Sequence, residues 1–210
     1  MFYLTIGTQA DGNKRLFGGI SAFDGITSML KLSENPPIVW PENVPLTAFS
    51  GRWWVAHTKS RNEKALAHDL LGRRINYFLP MSWKLRRRAG RKIRSLLPVF
   101  AGYLFFCGDE NQRIEVLRTN RVAGIIVVSD QGRLVKELTQ VEKAIRTGVP
   151  LLPHKYLKAG RLVRVTAGPM ADLQGIVVRS KNVTRLVLQV DILGEATSVE
   201  VDADIIEPID

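Results

Sequence analysis

Lys84, Arg86, Arg87, Arg88, Arg91, Lys92 and Arg94 fall within eleven residues, and no carboxylate lies between Asp69 and Asp109. A cation run without compensating acids must relieve its own repulsion through solvent, salt or a polyanion. Phosphate contact is the chemistry such a run performs: it acts through counterion release and carries no base specificity. A solvated loop is the alternative. Gly90 sits inside the run, so the segment reads as the tip of a long hairpin. A second cationic set lies upstream. Lys59 and Arg61 sit where a strand hands over to a helix, and Arg61, Lys64 and His68 share one helix face, opposite Leu66 and Leu70. That face could equally be an ordinary exposed one.

Catalysis needs convergent groups with matched pKa values. His57, His68 and His154 lack metal-ligand spacing, and Cys107 closes an apolar strand, where a buried inert thiol is the default. Ser60 and Ser82 lie near basic residues but have no acid–histidine partner. No phosphate-cradling glycine motif is present. The expectation is a protein that is not an enzyme and holds no cofactor and no metal.

The elements that must position these groups follow from the pattern. The chain has 210 residues, enough for one large domain or two small ones, and 45% of them are hydrophobic. Its formal net charge of +10 favours a polyanionic partner. A single cysteine excludes an internal disulfide and implies a reducing compartment. No window reaches the roughly 18 apolar residues of a membrane span, and the start lacks the order of a secretory signal. A cytoplasmic protein without membrane contact is expected.

Residues 1–51 read as an irregular arm, glycine-rich early and proline-rich late, with one short amphipathic helix around Ile20, Phe23, Thr27 and Leu30 and loose packing through Trp40 and Phe49. Residues 53–58 read as a strand. Ser60 with Glu63 matches a capping box and opens a helix to about Arg74. Further strands are expected at 76–83, interrupted by Pro80, at 97–108 and at 122–128, with helices at 111–120 and 139–148, the last with Thr139 near its N-cap. The order implies an α+β domain over 52–147, helices against an antiparallel sheet. Residues 148–159, with two prolines, read as linker. Residues 160–210 are strand-rich, with Leu186, Leu188, Val190 and Ile192 on one alternating face. They fit a small all-β, SH3-like barrel.

Residues 160–178, GRLVRVTAGPMADLQGIVV, place two apolar strands around a Gly-Pro loop. The string resembles the KOW motif of transcription elongation factors and some ribosomal proteins, matched at Gly160, Val163, Val165, Gly168, Pro169, Gly175 and Val177. Two further stretches join it: WWVAHTKSRNEKALAHDL at 53–70, and VFAGYLFF at 99–106, which resembles a Phe-Pro-Gly-Tyr strand with Ala101 in place of proline. In this order the three resemble the NusG family of bacterial transcription elongation and antitermination factors, over about residues 52–210.

The resemblance implies an N-terminal domain that rides on RNA polymerase, gripping the clamp of the largest catalytic subunit through an apolar depression. By position, Phe100, Ala101, Tyr103 and Phe105 would make that contact; simple core packing is the alternative. Lys59, Arg61, Lys64 and His68 would lie near the DNA of the transcription bubble, with the hairpin cations and nascent RNA as further phosphate contacts. Ile192, Leu193, Gly194 and Glu195 correspond to the barrel tip that commonly meets a small-subunit ribosomal protein or the termination factor Rho. Leu193 replaces an aromatic and Glu195 a basic residue there, so an interaction relying on that cation turns repulsive, and Rho coupling stays open. These departures, with the basic hairpin and the arm, imply a specialised RfaH-like paralogue. A ribosome-associated KOW-type RNA-binding protein and a nonspecific DNA-binding protein are the competing readings.

Overall fold

The computed structural model describes residues 34–88, 91–158, 160–180 and 183–209. The expected helix around Ile20 to Leu30 and residues 89 and 90 of the hairpin turn lie outside the described residues.

Five strands form the N-terminal sheet: β1 (Val39–Trp40), β2 (Arg52–Thr58), β3 (Asn76–Phe78), β6 (Tyr103–Gly108) and β7 (Val122–Val127). Their order is β1-β3-β6-β2-β7 and every pairing is antiparallel. Strand alternation sends neighbouring residues to opposite faces. Trp53, Val55, Phe105 and Cys107 enter one cluster, while Trp54, Ala56, Leu104 and Phe106 enter the other. Both faces are therefore buried. Helix α1 (Glu63–Gly72) supplies Leu66, Ala67 and Leu70 to the second face, and α2 (Glu110–Arg118) adds Val116. The first face is covered by α3 (Gln131–Arg146) and by Leu46 in the short turn after β1. The stretch read as a loosely packed arm thus contributes, over its described part, an edge strand and a core leucine only 1% exposed. Apolar residues too sparse for a local periodicity still bury when a neighbouring sheet offers a face.

Two helix starts differ from expectation for tertiary reasons. Helix α1 begins at Glu63 with Asn62 at the N-cap, and Arg61 has φ +58°. The backbone N–H groups of Thr58 and Lys59 donate to Gly102 and Arg121 carbonyls at 2.8 Å each, which holds this segment out of the helix. Helix α3 begins eight residues before Thr139. The Asp130 side chain accepts from Arg133 N at 2.9 Å, and Thr139 sits mid-helix with its hydroxyl donating to Val135 O at 2.7 Å. By contrast, α2 closes a full capping box between Asp109 and Gln112.

The strand expected at 97–108 is two strands. Pro98 ends β5 (Arg91–Pro98), and Phe100 O accepts from Tyr103 N to form a turn in which Gly102 takes φ +85°. Strand β5 pairs with β4 (Met81–Arg88) in a separate two-stranded sheet, from Met81 opposite Pro98 to Arg88 opposite Arg91. Each strand holds eight residues, about 26 Å at ~3.3 Å per residue.

The C-terminal residues form a six-stranded antiparallel sheet from β8 (Leu152–His154), β9 (Leu162–Val165), β10 (Gln174–Ser180), β11 (Val183–Val190), β12 (Glu195–Val201) and β13 (Ile206–Pro208), in the order β13-β9-β10-β11-β12-β8. Strand β8 comes from the segment read as linker. Leu186, Leu188 and Val190 are buried as their alternation implies, whereas Ile192 falls in a 3-10 turn. This sheet packs against α3. Glu137 Oε2 accepts from Asp191 N at 3.1 Å, Gln140 Oε1 accepts from Gln174 N at 2.8 Å, and Arg133 pairs with Asp191. One apolar cluster consequently runs from Phe105 through Leu134, Leu138 and Val141 to Val163 and Leu186.

Burial pushes the Glu137 carboxyl above its ordinary range, opposed by the Arg133 guanidinium. A carboxyl whose folded pKa is raised costs stability when ionised, and that cost disappears as pH falls through the raised value. Glu137→Gln keeps an acceptor for Asp191 N–H and removes the charge. The variant is expected to melt higher than wild type at pH 7, with the gap narrowing toward pH 5 in calorimetric scans.

Candidate nucleic-acid and partner interface

The cationic hairpin forms as expected, with no acid on either strand. Lys92 and Arg94 are exposed and Lys84 is half-buried. The Arg94 guanidinium lies 4.3 Å from the centroid of the Trp83 ring. Arg86, Arg87, Arg88 and Arg91 occupy the strand positions nearest the turn, and their side chains lie outside the described ones. The cations stand on both strands of the hairpin.

The first-helix set divides. Arg61 is exposed, and Lys59 is exposed with its Nζ donating to Asn120 Oδ1 at 2.7 Å. Lys64 is committed inside the chain: its Nζ donates to Asn35 Oδ1 and to Leu96 O at 2.6 Å each. Burial lowers its pKa, and the neighbouring Glu63 charge opposes that shift. His68 Nε2 lies 3.0 Å from Glu34 O, which can only accept, so Nε2 carries the proton. Lys59 and Arg61 are thus presented outward, Lys64 is tied to Asn35, and His68, though exposed, meets Glu34 O.

Of the four aromatic-strand residues, the structure presents two. Ala101 is exposed and Tyr103 half-exposed, its ring stacked on His57 at 5.2 Å. Phe100 and Phe105 are 2% and 0% exposed and belong to the core. Phe105 meets Phe100 edge-on and stacks beside Phe78, each at 6.3 Å. Helix α3, Leu46 and the C-terminal sheet cover the face that the sequence leaves open to a partner. The Ala101–Tyr103 turn is held from below by Glu63, whose Oε1 accepts from Gly102 N at 2.6 Å. Sequence reading gives Glu63 a local role as a capping residue; its contact across 39 residues has no local signal.

In the KOW segment, Val163 and Val165 are buried, while Gly160, Gly168 and Pro169 are exposed. Gly168 takes φ +78°, a turn conformation that side chains resist. Gly175 has a different reason. A Cβ there would lie 2.5 Å from the Val187 carbonyl oxygen and 3.1 Å from Leu186 Cγ. Backbone cannot yield as a side chain can, so Gly175→Ala is expected to destabilise the chain by about 1–3 kcal/mol, read as a lowered midpoint in urea. At the tip, Ile192 and Leu193 pack partly into the shared core, whereas Gly194 and Glu195 are exposed.

Among the described residues, no three His, Cys, Asp or Glu side chains gather as a metal site. The Cys107 thiol is buried and pushed up to about 11 by that burial, which leaves it protonated and unreactive at neutral pH. No helix among them is long and apolar enough to cross a membrane.

A family model described as transcription termination factor nusG matches residues 51–146. The transcription termination/antitermination protein NusG of Vibrio parahaemolyticus is 30% identical over 190 residues, covering 85% of this chain and all of that protein. NusG of Escherichia coli K12 is 28% identical over 187 residues, covering 84% and 99%. A solved structure described as domain interaction in Thermotoga maritima NusG aligns with 76% of this chain and 97% of its own, at 16% identity and a TM-score of 0.44. With a full-length relative at 30% identity behind it, the chain belongs to the NusG family of transcription termination/antitermination proteins.

Proposed function

We propose that this protein is a transcription elongation and antitermination factor that binds RNA polymerase through its N-terminal unit, contacts nucleic acid and recruits a further factor through a KOW unit. The division is 52–147 for the N-terminal α+β domain, 148–159 for the connection and 160–210 for an SH3-like barrel. The observation that carries the reading is the acid-free β4–β5 hairpin set apart as its own sheet. A factor that bridges the polymerase cleft needs a cationic extension toward nucleic acid beside a protein-binding turn. Lys59, Arg61 and the hairpin cations contact DNA of the transcription bubble and nascent RNA. The Ala101–Tyr103 turn meets the polymerase clamp. Gly194 and Glu195 offer the tip to a ribosomal protein, and the charge at Glu195 disfavours Rho if Rho relies on a cation at that position. Bridging favours the closed, processive polymerase by mass action. These departures fit a specialised, RfaH-like paralogue.

Affinity capture from a nuclease-treated bacterial lysate tests the reading. RNA polymerase is expected on wild-type protein and absent on Ala101→Arg, an exposed position whose change leaves the core untouched. Retained ribosomes without polymerase would establish the ribosome-associated alternative instead.

A further inference from the structure

A groove of about 590 Å³ opens between the base of the hairpin and the segment leading into β8. Its size falls within the roughly 300–1,000 Å³ of ligand clefts. Trp83 and Leu85 alternate along β4, and Leu85 stands directly opposite Arg94, so the three share one face of the hairpin. Pro150, Leu152 and Pro153 form the facing wall. That wall is fixed: Leu151 N donates to the buried Ser82 hydroxyl at 3.1 Å, and Leu152 O accepts from the Thr197 hydroxyl at 3.0 Å. A groove formed in advance spares its occupant part of the ordering cost of binding.

The lining decides what that occupant is. Leu85 is 65% exposed and Leu152 39%, and Pro150 and Pro153 are exposed beside them. Large aliphatic groups shown to water on both walls gain burial only against another apolar surface. A nucleotide base stacks on a tryptophan but brings no aliphatic group to the leucines and prolines. A large apolar side chain of a polypeptide meets all of them. Charge then restricts the polypeptide: Lys84 and Arg94 line the groove and no described acid does, so the complement is carboxylate. The Arg94 guanidinium lies 4.3 Å from the Trp83 ring centroid, and a stacked guanidinium keeps its N–H donors at its rim for a carboxylate. Strand β8 ends the six-stranded sheet, but Pro153 at its centre has no N–H to give a further strand. Side-chain burial, rather than extension of the sheet, therefore carries the contact.

We propose that this groove docks a short acidic segment of a protein partner. One leucine or phenylalanine of the segment seats between Trp83, Leu85 and Leu152, and neighbouring carboxylates meet Arg94 and Lys84. The site uses none of the residues of the Ala101–Tyr103 turn or of the barrel tip, so it is a further protein contact beyond those two.

Peptide phage display on the immobilised full-length protein supplies the probe. Enriched sequences are expected to combine Asp or Glu with leucine or phenylalanine. The most enriched one is then made with a fluorescent label and its affinity read by anisotropy. Leu85→Gln and Leu152→Gln each change one exposed side chain, one on either wall, and leave Tm in place. Each is expected to weaken the peptide about tenfold or more. Arg94→Gln is expected to weaken it as well and to flatten its salt dependence. Peptide affinity left unchanged by both leucine variants overturns the groove. Enrichment of neutral or basic peptides overturns the acidic partner, and a selection that enriches nothing overturns the site altogether. The Trp83 indole resonance, assigned by its loss in Trp83→Phe, gives the last arm. If it moves with oligothymidylate and not with the peptide, the choice of a protein over nucleic acid is overturned.

Discussion

Replacing all seven hairpin cations with glutamine is expected to remove most of the salt sensitivity of nucleic-acid binding. Each phosphate neutralised releases condensed counterions, which contributes about 0.7 to the log–log salt slope for single strands, so seven contacts contribute roughly 5. A protein making six or more such contacts loses about 10³-fold or more in affinity between 50 and 200 mM salt. The variant should therefore bind weakly at 50 mM and change little on going to 200 mM. The measurement is a binding isotherm repeated across a salt series. A wild-type isotherm that ignores salt would remove the hairpin from the interface. The fold should survive, because the hairpin is held by its backbone ladder and by Met81 and Leu96 near its base, neither of which is changed.

Phe105→Ala is expected to destabilise the protein by about 3–5 kcal/mol, a drop of roughly 10 °C in Tm for a chain of this size. Its ring is fully buried between Phe78 and Phe100 at the centre of the first cluster, where neither a strand nor α3 can collapse to fill the space. Phe100→Ala behaves in the same way. Tyr103→Ala loses a half-exposed ring stacked on His57 and should shift Tm far less. This contrast decides how the polymerase contact can be probed. Lost binding in Phe100→Ala or Phe105→Ala reports unfolding, whereas lost binding in Tyr103→Ala or Ala101→Arg reports the surface. Thermal denaturation monitored by circular dichroism, run beside polymerase capture, separates the two. A Phe105→Ala protein as stable as wild type would contradict the burial on which the argument stands.

The sequence by itself determined the parts whose signals are local. The apolar run opening WWVAHT, the alternation in LVLQV, the Gly-Pro loop at 168–169 and the acid-free cation run fix strands, a turn and a hairpin, because their causes lie within a few residues of one another. The same locality carried the KOW and aromatic-strand resemblances, and through them the family. Only the tertiary structure decided what covers each face. Phe100 and Phe105 look the same in sequence whether a partner or α3 meets them, because burial is a property of the neighbour. Glu63 reads as a capping residue until Gly102 supplies a donor from 39 positions away. Lys64 reads as a surface cation until Asn35 and the Leu96 carbonyl take the place of solvent at its donors, whereas His68 stays exposed while meeting Glu34 O. Gly175 reads as a turn residue until the Val187 carbonyl closes on it. The groove at the hairpin base, lined by Trp83 and Arg94, exists only because the distant segment from Gly148 to Pro153 crosses it. In each case the deciding energy comes from desolvation or from a hydrogen bond between distant segments, and no local pattern encodes which segments will meet.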